Sequence, residues 1–223
     1  MSKAIKYGLG GFLAIAVIIV LVLLFSINSI VKSGIEEIGT EMTGTAVTVD
    51  RVLISPFSGK GQISGFRVAN PDDYSREYAI EVEDFSIELD VFTLFSNEIV
   101  VREIIINSPS IFVEQKLPAN NINSILRHIR EIDTGETTDA ELIIEHFLMT
   151  DGVTDLYTEI GGERSARVEI STVELHDLGR GGGRSAVEDV IKEIAGKVGE
   201  EALKAAAESG GEQIRDAIRD LFD

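Results

Sequence analysis

Residues 45–71 read TAVTVDRVLISPFSGKGQISGFRVANP, and the placing of their small residues decides the fold. Gly59-Lys60-Gly61 has the look of a phosphate-binding loop. Such a loop needs G-x-x-x-x-G-K-[ST], so that successive amides wrap the phosphates and a hydroxyl after the lysine holds magnesium. Here the glycine spacing is wrong and Gly61, not a hydroxyl, follows Lys60. The stretch therefore reads as a glycine-rich hairpin turn with an exposed lysine. The residues around it alternate as strands do, but with a slip. Val47 and Val49 give way to Val52 and Ile54, and Ile63 gives way to Phe66 and Val68. A change of phase within a strand is what a β-bulge produces, and Gly65 sits at the second one.

Outward from this hairpin the chain is mostly strand. FSIELDV alternates Phe85, Ile87, Leu89 and Val91 with Ser86, Glu88 and Asp90, which predicts one apolar and one wet face. EIVVREIIIN and SIFVE are apolar at nearly consecutive positions, as in strands covered on both faces. PANNINSILRHIREI spaces Ile122, Ile125, Leu126 and Ile129 as one helical stripe. LIIEHFLM, VTDLYTEI and ARVEISTVEL supply further strands, for a total of about seven or eight. GRGGGRS then breaks the pattern at 179–185. Beyond it Val187, Val190, Ile191, Ile194 and Val198, and later Ile214, Ala217, Ile218 and Leu221, mark C-terminal amphipathic helices with acidic polar faces.

The chain carries 38 acidic against 20 basic side chains, for a net charge of −18. Lys3 and Lys6 are the only charged residues before Lys32, so everything from Lys32 onward carries −20. A domain of that sign repels phosphate backbones, which argues against a nucleic-acid partner. From Gly8 to Ile27 there is no charge, and 20 helical residues reach roughly 30 Å, the thickness of a bilayer's hydrocarbon core. This predicts a single transmembrane helix, too long for a signal peptide's apolar region. Lys3 and Lys6 on its near flank put the N-terminus in the cytoplasm. The expected organisation is a cytoplasmic tip and anchor over 1–31, a helical stalk over 32–43, a β domain over 44–178, and a glycine hinge with C-terminal helices over 179–223. The fold class is α+β.

Little here promises chemistry. There is no cysteine, so thiolate metal sites and disulfides are excluded. His128, His146 and His176 fall in three different elements and form no H-E-x-x-H pattern. Adjacent carboxylates such as Asp72-Asp73 are too common in so acidic a chain to mark an acid–base pair. The expectation is a protein that is not an enzyme, with no catalytic residues, no metal and no cofactor.

Several pieces in order carry a resemblance: Val47 to Val49, Ser55-Pro56-Phe57-Ser58-Gly59-Lys60-Gly61, Gly65-Phe66-Arg67-Val68-Ala69-Asn70-Pro71, Leu94-Phe95-Ser96, Ile104-Ile105-Ile106-Asn107-Ser108-Pro109 and Asn120-Asn121-Ile122. Together, from Gly44 to Leu126, they resemble the N-terminal region of AsmA-like bacterial envelope proteins. Asn70-Pro71 after a strand is also similar to the water-stress LEA14-like β-sandwich module. The AsmA-like resemblance implies a strongly curved antiparallel sheet with an apolar concave face, carried in the bacterial inner membrane with its β domain in the periplasm. It implies lipid binding or transfer, or outer-membrane homeostasis, with phospholipid as the partner. Eight strands at about 4.8 Å make a groove of roughly 40 Å, too short to bridge an envelope alone. Phe66, Val68, Phe85, Ile87 and Leu89 are the expected groove lining. The same alternation fits an ordinary core closed by helices. The competing function is a structural or assembly protein that binds a protein partner, or a second copy of itself, through its sheet edge or acidic C-terminal helices.

Overall fold

The computed structural model describes residues 26, 28–29, 31–93, 96, 98–116, 120–131, 141–159, 163–179 and 197. A helix α1 over residues 31–43 leads into β1 (Val47–Thr48), β2 (Arg51–Ile54), β3 (Lys60–Ala69), β4 (Tyr78–Leu89), β5 (Glu98–Asn107) and β6 (Ser110–Gln115). Helix α2 (Asn121–Glu131) follows, then β7 (Glu141–Thr158) and β8 (Arg164–Leu178). All eight strands belong to one sheet. β1 and β2 pair with β3 in one continuous register, and β5 and β6 likewise pair with both β4 and β7. The sheet is therefore six long ribbons side by side: β1–β2, β3, β4, β5–β6, β7 and β8.

Two expectations are corrected. The sheet is mixed rather than antiparallel, because β5 and β6 both run parallel to β7. The cause is α2. The connection between β6 and β7, which contains α2, returns the chain to the end where β5 began, and a strand entered from that end must lie parallel to the β5–β6 ribbon. The second correction concerns the membrane: among the described residues no helix is long and apolar enough to cross one. The stretch 8–27 lies outside the described residues except for Ser26, and the single-pass topology read from it is not supported. The helix described next to this stretch, α1, carries Lys32, Glu36, Glu37 and Glu41 and lies against the sheet. The C-terminal helices expected over 186–223 also fall outside the described residues, apart from Lys197.

α1 seals one edge of the sheet. Asn28, Lys32, Glu36 and Thr40, four residues apart, share one helix face. The backbone N–H of Ile54 donates to Asn28 Oδ1 (2.8 Å), that of Val49 to Glu36 Oε1 (2.9 Å) and that of Val47 to Thr40 Oγ1 (2.9 Å). Lys32 Nζ donates to the Asp50 carbonyl (3.3 Å). Donors that an edge strand would leave open are thus taken by side chains of one helix. Val31 and Ile35 pack beside them on Val49, Val52, Ile54 and Ile63.

The phase slips seen in the sequence run across the whole sheet. The pairings that flank them put Asp50, Gly65, Glu83, Ser108, Asp151 and Ser171 on a single row, one residue from each ribbon. Gly65, Ser108 and Asp151 all have positive φ, at 65°, 50° and 53°. Before and after the row the buried positions change parity: Phe147 and Met149 against Thr154 and Leu156 on β7, Val168 and Ile170 against Val173 and Leu175 on β8. Every ribbon spends one residue at the same place, so the neighbours stay in register and the apolar face stays on one side. This differs from a two-against-one bulge, which would leave one partner unmatched. At Gly65 the row tolerates no side chain, since a Cβ would stand 2.1 Å from Asp50 Oδ2. Asp50 is held there by Arg67 through two bonds of 2.9 and 3.0 Å, and that guanidinium keeps its carboxyl below the usual range.

The row creases the sheet into two halves. In one half α2 lies on the sheet, with Ile122 and Ile125 packed on Val47, Val68 and Ala79, and Ile122 also on Val113, Leu156 and Val168. In the other, the largest cluster (Val101, Ile144, Phe147, Met149, Ile170, Val173, Leu175, Leu178) is built from strand residues alone among those described.

Candidate functional site

The crease divides the five residues expected to line a groove. Val68 belongs to the half under α2, where it is buried at 3 % exposure against Ile125. Phe66 lies next to the crease, bridging the cluster under α2 and the cluster under α1, and meets Phe85 edge to face with ring centroids 5.9 Å apart. Phe85, Ile87 and Leu89 lie in the other half. There Phe85 is paired with Ile106 and Ile87 with Ile104 across β4 and β5, and all of these are half-buried. Ile87, Leu89, Ile104 and Ile106 pack on the strand-built cluster and form its accessible margin, and Phe85, Ile87 and Leu89 also reach the cluster that α1 covers. Ile104 and Ile106 escape the sequence reading because the run Ile104-Ile105-Ile106 is apolar at every position. The register supplies what the run hides: Ile105 sits opposite Ser86 and so faces the other way.

What fixes α2 on its half of the sheet is a buried polar network at the end of that half away from the crease. Asn121 is fully buried; its Oδ1 accepts from the Glu114 N–H (3.0 Å) and its Nδ2 donates to Phe112 O (2.7 Å) and Asn70 Oδ1 (2.6 Å). Asn70 Nδ2 donates in turn to the Arg76 carbonyl (2.8 Å), which shapes the β3–β4 turn. Asn120 Oδ1 accepts from the Asn123 N–H (2.7 Å) and so caps the start of α2. Glu114, 1 % exposed, receives the Ser75 N–H and hydroxyl, both at 2.7 Å, and the Lys116 ammonium at 3.1 Å. Burial pushes its carboxyl up, but these three donors pull harder and hold it below its ordinary value. The Asn70-Pro71 and Asn120-Asn121-Ile122 pieces of the sequence are thereby given a job: they join the β3–β4 turn, β6 and the start of α2.

On the outer surface behind this network is a cavity of about 390 Å³ floored by Phe112 and Tyr157, whose rings stack at 6.5 Å. Arg76 covers the Phe112 ring at 4.3 Å, yet Asp155 already takes both Arg76 (3.4 Å) and Arg167 (3.8 Å). Two guanidiniums share one carboxylate there, so the lining carries one more positive than negative charge.

The histidines separate as the register dictates. His128, on α2, lies beside Gly44, where a Cβ would meet its ring at 2.7 Å. His146 and His176 are directly opposite on β7 and β8, with parallel rings 4.9 Å apart. Glu103 on Nδ1 and Glu174 on Nε2 hold the His146 ring above its ordinary value.

No protein-family model matches the chain, and no curated protein matches it. What the chain does is therefore read from the sheet itself.

Proposed function

We propose that the chain is a non-enzymatic module that holds an acyl chain, and with it a phospholipid, against the strand-built half of its sheet. The observation that carries this reading is the accessible apolar margin: Phe85, Ile87, Leu89, Ile104 and Ile106 are half-buried neighbours on two strands, while the comparable face across the crease is roofed by α2. An acyl chain suits such a surface because it brings no polar group that needs a partner, and each methylene it buries contributes about 0.8 kcal/mol. Ten methylenes would contribute about 8 kcal/mol before the cost of ordering the chain, enough for retention through purification. The resemblance of Gly44 to Leu126 to AsmA-like envelope proteins points the same way.

A second reading rests on the contrast between the sheet's edges. α1 seals β1 and β2, whereas among the described residues no strand pairs with the outer edge of β8. An extended segment of a protein partner, or β8 of a second copy, would extend the sheet there. Native mass spectrometry of the full chain separates the two. The lipid reading expects a folded chain carrying phospholipid mass. A chain that is lipid-free after gentle purification overturns it, and added protein mass favours the edge.

A further inference from the structure

We propose that Glu174 and the His146–His176 pair form a zinc-binding site on the outer face of β7 and β8. The site follows from register. His146 and His176 are opposite each other in the antiparallel pair, and Glu174 precedes His176 by two residues, so all three side chains leave the same face. Their ligand atoms all lie within 4.8 Å of one another. Tetrahedral zinc with bonds of about 2.0–2.1 Å sets its ligand atoms roughly 3.4 Å apart. Two of the three separations are already close to that: Glu174 Oε1 is 3.0 Å from His146 Nε2 and 3.5 Å from His176 Nε2. Only the two imidazoles need to approach, and His176, whose side chain is 62 % exposed, is free to rotate toward its partner.

A second observation points to a metal rather than to a chance surface cluster. Glu103, on β5, reaches the other nitrogen of His146, with Oε1 3.1 Å from Nδ1. Once zinc takes the place of the proton that Nε2 shares with Glu174, a carboxylate that accepts the Nδ1 proton holds the ring's orientation and makes Nε2 a stronger donor. Three adjacent strands thus contribute two imidazoles, one carboxylate ligand and one orienting carboxylate. Two nitrogens and one oxygen suit zinc, and a fourth position is left for water.

The full chain, free of any affinity tag, is titrated with zinc against a chelating indicator in a non-coordinating buffer. One zinc per chain is expected, with affinity falling at least tenfold in His176→Ala. Glu103→Gln keeps every ligand but weakens the orienting bond, so a loss of 10- to 100-fold is expected there too. His176 and Glu103 are exposed enough that neither change should disturb folding, and circular dichroism of both variants checks it. Absence of saturable binding overturns the site. So does binding that both variants leave unchanged, which would place the zinc among the acidic groups elsewhere.

Discussion

On one side of the crease Val47, Val68 and Ala79 pack beneath Ile125 of α2, and Asn121 ties that helix to two strands and a turn. On the other side Val101, Ile144, Phe147 and Met149 pack among strands, with Ile87, Leu89, Ile104 and Ile106 at their margin. The same alternation of apolar residues feeds both faces. What differs is the polar part: among the described residues, only the first half has buried amides and a carboxylate that specify where its cover must sit. A helix held by apolar contact alone can slide, whereas one held by Asn121 cannot without leaving buried groups unpaired. The difference teaches that specificity of the cover, not hydrophobicity of the sheet, separates a closed core from a surface able to accept a ligand.

The sharpest way to break that contrast is Asn121→Ala. It leaves the Glu114 N–H, the Phe112 carbonyl and Asn70 without their partner in a dry environment, so chemical denaturation should show a loss of about 3 kcal/mol. A loss below about 0.5 kcal/mol would mean the network does not hold the helix.

A smaller effect follows from Glu114. Its carboxyl is held below its ordinary value in the folded chain, so its contribution is fully present above the unfolded carboxylate value, about pH 4.3, and is lost as the pH falls through the folded value. The melting temperature of the native chain should therefore drop more steeply below about pH 4.3 than that of Glu114→Gln, which cannot lose a charge it lacks. Equal slopes would show that the Ser75 and Lys116 contacts do not stabilise the charged form.

Much of this was legible in the sequence, and the reasons for the rest are specific. The slips from Val49 to Val52 and from Ile63 to Phe66, with Gly65 between the latter pair, were visible because alternation is local. That six such slips share a row was not visible, because a row exists only once strands are paired. The stripe of Ile122, Ile125, Leu126 and Ile129 announced α2, but a helical period says nothing about which end of the sheet the chain re-enters, so the parallel pairing of β5 and β6 with β7 was missed. The same limit hid the His146–His176 pair, whose members are 30 residues apart and meet only through register. Near the N-terminus, counting apolar residues favoured a span over 8–27. In the helical stalk expected after it, only the apolar spacing was read, which does not show that Asn28, Lys32, Glu36 and Thr40 form a polar stripe suited to a strand edge.

The central claim is that the strand-built half accepts an apolar ligand that the α2 half has no room for. Its most direct test is lipid retention by the Ile87→Glu chain in native mass spectrometry. Ile87 is half-buried at the margin, so a carboxylate there can reach water and the chain should stay folded while losing the phospholipid that the unaltered chain carries. A variant that keeps its lipid, or that unfolds as an unpaired charge in a closed core would make it do, contradicts the claim.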